Sequence, residues 1–85
     1  MQHQHLQELA GAANVEELQR AIEAMCQPFG NPTNIRLLPD GARNVYVCFL
    51  DGGSPDLNSS MIENLGGFYF ANGVAFIIPF KLAND

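Results

Sequence analysis

The period of the apolar side chains changes several times along the chain, and each change marks an element. Asn14 suits an N-cap, Glu17 stands three residues on, and Val15, Leu18, Ile22, Met25, Cys26 and Phe29 follow at helical spacing. The pattern predicts a helix over residues 15–27, closed by Pro28 and Gly30, with Asn31-Pro32 forbidding its continuation. Residues 34–38 read as a strand with Ile35 and Leu37 on one face and Arg36 on the other. Pro39-Asp40-Gly41 supplies a turn in which glycine takes the left-handed position. Val45 to Phe49 is the next strand. We assign Val45, Val47 and Phe49 to its core face, which leaves Asn44, Tyr46 and Cys48 pointing away.

Ser54-Pro55 opens a second helix, over residues 55–65, as N-cap and first helical residue. Leu57, Met61, Ile62 and Leu65 form its stripe, and Gly66-Gly67 ends it. Phe68-Tyr69-Phe70, Asn72-Gly73 and Val74-Ala75-Phe76 read as a hairpin on an Asn-Gly turn. Its second arm continues to Phe80, with Val74, Phe76, Ile78 and Phe80 facing the core. From Asn14 onward the order is α-β-β-α-β. A first strand within His3–Leu9 would complete a split-βαβ arrangement, in which that strand lies between the third and the last. Leu6, Leu9, Ala10 and Ala13 lie at helical spacing instead, and we expect tertiary context to override that preference. The expectation is an α+β domain with a four-stranded antiparallel sheet and two helices on one face.

Composition narrows the function. Eighty-five residues, 47% hydrophobic and 15% charged, suit one domain (1–85) with one modest core and a sparsely charged surface. We expect Met1 to His5 to be mobile. That segment lacks the order of a secretory signal, and no apolar run is long enough to cross a bilayer. The expected setting is intracellular, cytoplasmic or nuclear, with Cys26 and Cys48 reduced. A net charge of −5 with only four Lys and Arg argues against strong non-specific nucleic-acid binding. Arg36, Arg43 and Lys81 nevertheless fall in or beside strands, whereas Glu16, Glu17, Glu23, Asp56 and Glu63 fall in helices. No triad or carboxylate pair emerges, so we read the chain as non-catalytic and without a cofactor. His3 and His5 lack a third ligand at metal spacing, and Gly52-Gly53-Ser54 lacks the lysine of a phosphate-binding loop.

The run from Glu17 to Phe80 resembles an RNA-recognition motif. The likeness is carried by Cys26-Gln27-Pro28-Phe29-Gly30, Asn34-Ile35-Arg36-Leu37, Val47-Cys48-Phe49, Glu63-Asn64-Leu65-Gly66-Gly67 and Phe70-Ala71-Asn72-Gly73-Val74. It implies a ferredoxin-like fold. Against the family's octamer, Ala42 to Phe49 keeps Val47 and Phe49 at core positions and Tyr46 at one outward stacking position, while Asn44 replaces the other aromatic. The resemblance implies weak binding of single-stranded RNA through the sheet. Tyr46 would stack on a base, Arg36 and Arg43 would contact phosphate or base, and Asn44 would read a base edge. Tyr46 as an ordinary packed strand residue, and Arg36 paired with Asp40 or Asp51, stand beside those roles. Peptide-binding variants of the family offer the alternative of a protein or peptide partner. Glu16, Glu17 and Glu23 then form an acidic helix. Phe68-Tyr69-Phe70 stands at the spacing of an Arg-any-Phe motif, with Phe70 matching and Phe68 in the arginine's place, which makes Phe68 and Tyr69 the hairpin residues available to the partner. The expected state is a monomer or weak homodimer.

Overall fold

The computed structural model describes residues 8–79. Residues 8–10 are helical, and Leu9 is buried in the core. Of the candidate first strand, residues 8 and 9 are therefore helix, and the rest lies outside the described residues. So do Met1–His5, Phe80 and Lys81.

Helix α1 spans Val15–Cys26. The Asn14 side chain accepts the Glu17 N–H at 2.9 Å, and the Glu17 carboxylate accepts the Ala13 N–H at 3.0 Å, so two free donors of the helix entry are satisfied. Leu18, Ile22 and Cys26 are buried, whereas Val15 and Phe29, at the ends of the expected stripe, are exposed. The chain leaves α1 through a 3-10 turn at Gln27–Phe29, and Gly30 at φ 90° turns it away. Helix α2 spans Pro55–Leu65 and buries Leu57, Met61 and Leu65. The Ser54 hydroxyl accepts from the Leu57 N–H and donates to the Phe29 carbonyl, both at 3.1 Å, which ties the start of α2 to the end of the 3-10 turn. Gly66 closes α2 in the left-handed conformation expected of a helix C-cap.

Four strands form one antiparallel sheet: β1 (Asn34–Asp40), β2 (Val45–Asp51), β3 (Phe68–Phe70) and β4 (Gly73–Ile78), in the order β1-β2-β4-β3. The α+β class and the antiparallel sheet agree with expectation, and the strand order does not. Strands β2 and β4 pair directly, from Tyr46 opposite Ile78 to Asp51 opposite Gly73. The slot that the split-βαβ arrangement reserves for a first strand is thus closed. The turns also differ. Pro39 and Asp40 belong to edge strand β1, where a proline costs no ladder bond, and Asn44 rather than Gly41 takes the left-handed conformation at φ 60°. The hairpin bends at Ala71-Asn72, and Gly73 begins β4.

The faces of β2 are the reverse of those we assigned. Tyr46, Cys48 and Leu50 are buried toward the helices, opposite Ile78, Phe76 and Val74 of β4. Val45, Val47 and Phe49 point to the open side. Both strands are apolar on both faces, so alternation within either one carries no sign. Pairing decides it: Arg36, which faces outward on β1, sits directly opposite Phe49.

Two stability measurements check this arrangement. A Cβ on Gly73 would collide with the Leu50 carbonyl, whereas one on Gly41 meets open space. Gly73→Ala should therefore lower unfolding free energy by about 1–3 kcal/mol or more, and Gly41→Ala should stay within about 0.5 kcal/mol of the parent in urea. Leu50→Ala should cost about 2–5 kcal/mol, and Phe49→Ala clearly less, because Leu50 is fully buried and Phe49 only partly. The opposite order would restore our first assignment of the faces.

Candidate functional site: the open face of the sheet

Helices α1 and α2 pack their apolar stripes into the core on one side, and the described residues leave the other side of the sheet open. Strand register states what that side carries. Phe68 stands opposite Ala75, and Ala75 opposite Phe49; Phe70 stands opposite Gly73, and Gly73 opposite Asp51. The β4 residues between the aromatics are thus a glycine and an alanine. Over this low ground the Phe49 and Phe70 rings meet, with centroids 5.2 Å apart and planes at 47°, a tilted pair favoured by the ring quadrupoles. Ala75 is fully covered.

On the other side of Phe49, the Arg36 guanidinium lies 4.8 Å from the ring centroid. Its Nε donates to Asp51 Oδ2 at 3.0 Å, and Nη2 reaches Oδ1 at 3.5 Å. Asp51, Arg36, Phe49 and Phe70 therefore form a continuous row across the sheet. Toward the far end, Leu38 stands opposite Val47, and Val47 opposite Ile77. Leu38, Phe68, Phe70 and Ile77 are 49, 47, 48 and 38% exposed, which makes this a surface and not a second core. Among the described residues the cations on or beside it are paired, Arg36 with Asp51 and Arg43, whose Nε lies 3.4 Å from Asp40 Oδ2.

The residues expected to bind RNA are not brought together. Arg36 is on the open face. Arg43 and Asn44 are exposed in the turn between β1 and β2, outside both strands. Tyr46 is only 8% exposed and lies beneath the sheet, so the ring assigned to base stacking is unavailable from the open side. The protein-binding set is divided as well. Glu16, Glu17 and Glu23 are exposed on α1, with Glu17 engaged at the helix entry. Phe68 is on the open face, and Tyr69, 69% exposed, points to the other side of edge strand β3. Sequence reasoning missed Phe49, Leu38, Asp51 and Ile77 as surface residues. A usable signal was present: β2 and β4 are apolar on both faces, yet the chain has two long helices to cover one.

Elsewhere, a polar cleft of about 710 Å³ runs between α1 and the start of β1, lined by Gln19, Arg20, Glu23 and Asn34 among others. An apolar groove of about 260 Å³ lies between the helices at Met25, Phe29 and Met61. Among the described residues no group of three or more His, Cys, Asp or Glu is arranged to hold a metal, and no helix is long and apolar enough to cross a membrane.

Cys26 and Cys48 are fully buried. Burial, with Glu23 adding repulsion, pushes the Cys26 thiol from 9.0 to about 11; burial, with Cys26 adding to it, pushes Cys48 to about 12. The unfolded chain loses these protons near pH 9, while the folded chain keeps them until its own higher values. The stabilisation is complete below pH 9 and is lost as pH rises from 9 through 11 and 12. Each thiol should contribute a slope of up to about 1.4 kcal/mol per pH unit in that window. Thermal unfolding should show a midpoint flat from neutrality to pH 8.5 and falling above 9, with a shallower fall in Cys48→Ala. An unchanged slope in that variant would place Cys48 in water.

The chain finds no match among protein-family models, curated proteins or solved structures.

Proposed function

We propose that the domain is a non-catalytic binding module that docks an apolar protein surface on the open face of its sheet. One observation carries the reading: the face combines Leu38, Val47, Phe49, Phe68, Phe70 and Ile77 in a single continuous patch whose charged groups are already paired. Antiparallel sheets can keep one side in water, but that side is then usually polar. A contiguous exposed apolar patch is a docking surface in most soluble proteins that carry one. Of the residues named for a protein partner, Phe68 lines this face beside Phe70, whereas Tyr69 and the acidic face of α1 lie on the other side of the sheet.

Single-stranded RNA is the second reading. What favours it is the outward placement of three rings, Phe49, Phe68 and Phe70, beside Arg36, since bases stack on such platforms. The electrostatics oppose it. The net charge is −5, Arg36 is held by Asp51, and Arg43 by Asp40. Among the described residues few free cations remain on this face to neutralise phosphates, and phosphate neutralisation supplies much of the affinity.

Amide chemical-shift mapping separates the two. An apolar dye should shift the amides of residues 36–38, 45–51, 68–70 and 75–77, with an affinity almost independent of salt, and Phe70→Ser should weaken it at least threefold. A mixed-sequence RNA pool should leave those amides unmoved. RNA shifts at the same residues that fade steeply with added salt would replace the protein-docking reading by the RNA one.

A further inference from the structure

From the area and charge of this surface we infer that its partner is a second copy of the chain, packed sheet to sheet. The inference rests on the docking reading above and names the partner of that same face.

Area comes first. Three strands of six or seven residues rise about 3.3 Å per residue and lie about 4.8 Å apart, and β3 adds three residues at one edge, so the open face is about 20 Å along the long strands and about 15–20 Å across. Two such faces brought together remove on the order of 1,000 Å² of accessible surface, the lower end of what a specific interface requires. One open sheet face is also a natural complement of another, because inner side chains of aligned, equally twisted sheets interdigitate across about 10 Å. A two-fold axis lying between the sheets makes the contact self-complementary and closes it at two copies.

Charge comes second. Among the described residues the face is locally neutral, because Arg36 is paired with Asp51 and Arg43 with Asp40. The acidic excess sits on the opposite layer, where Glu16, Glu17, Glu23, Asp56 and Glu63 are all exposed on α1 or α2. Face-to-face packing puts two helical layers on the outside, separated by both sheets, well beyond the ~10 Å over which salt leaves surface charges in contact. A net charge of −5 on each copy therefore does little to oppose this dimer, although it would oppose one formed through the helices. A basic partner would gain nothing from a neutral patch. A neutral, flat, apolar partner of equal size is what the patch fits, and another copy has that surface.

Val47, Phe49 and Ile77 on the two central strands make the apolar centre, flanked by Phe68 and Phe70 on edge strand β3, while Arg36 on edge strand β1 and Asp51 at the end of β2 put their pair at the rim, where wetting spares it desolvation. The arrangement becomes α/β/β/α, with the cover for the open face supplied in trans.

Sedimentation equilibrium on the full chain, from micromolar to millimolar, tests this. We expect a mass of twice 9.3 kDa at the upper end. Ile77→Lys and Leu38→Lys, on a central and an edge strand, should each raise the dimer dissociation constant roughly 100-fold or more, since a two-fold interface carries every substitution twice. Glu63→Lys and Tyr69→Lys, outside the open face, should leave it within about threefold, as substitutions beyond a buried contact do. Leu38→Lys lies at a half-exposed edge position, and circular dichroism melting of both lysine variants verifies that they fold. A dimer that survives both open-face substitutions, or that dissociates with Tyr69→Lys or Glu63→Lys, overturns the inference by moving the contact elsewhere. A chain that stays monomeric at millimolar concentration overturns it too. If that monomer still binds the apolar dye and loses it on Ile77→Lys, docking on this face survives with a different partner. If it binds no dye, both readings fall.

Discussion

Gly73 lies where β4 crosses closest to the backbone of Leu50 and Asp51, so near that no side chain fits between. This approach sets the register of the two central strands. With Gly73 opposite Asp51, Ala75 must stand opposite Phe49 and Phe76 opposite Cys48. Every side chain of β2 and β4 is thereby assigned to a face, since a one-residue slip would exchange the two sets. Phe76, Cys48 and Leu50 go beneath the sheet to meet Leu18, Ile22 and Leu57, and Phe49 goes above.

The open face follows from the same small residues. Glycine and alanine on the outer side of β4 leave a trough between β2 and β3, and the Phe49 and Phe70 rings close over it. Arg36 extends the row on the far side of Phe49, with its charge directed at Asp51. A guanidinium held by a carboxylate and laid on a ring behaves more as a flat polar tile than as a free cation. This is why the surface reads as apolar despite the arginine, and it is the feature on which the proposal of a protein partner rests.

Beneath the sheet the same logic makes Cys26, Tyr46 and Cys48 structural. Thiols raised to about 11 and 12 stay protonated at neutral pH, and a buried protonated thiol packs as a small apolar side chain. Tyr46 enters from the end of β2 and spends its ring on the core instead of on a ligand.

Much of this was legible in the sequence. Asn14 with Glu17, Ser54 with Pro55, and Gly66 mark their helix ends through local hydrogen bonding and backbone freedom, which depend on residues a few positions away. Ile35 and Leu37 against Arg36, and Val74, Phe76 and Ile78 on β4, were assignable because one of the two faces is distinguishable or its partners are large. Class, the element order from Asn14 onward and the presence of a sparsely charged surface came from the same local patterns and composition, whereas the strand expected within His3–Leu9 is helix at residues 8 and 9. Three things were decided only by the fold. The inward face of β2 was undetermined because Val45 to Leu50 is apolar at every position, and only pairing with Arg36 and Gly73 breaks that tie. The strand order depended on whether β2 and β4 meet, a long-range contact with no local signature. The candidate site depended on both, since Phe49, Phe70 and Arg36 are far apart in the chain and become neighbours only when non-local register places them on one side of the same sheet.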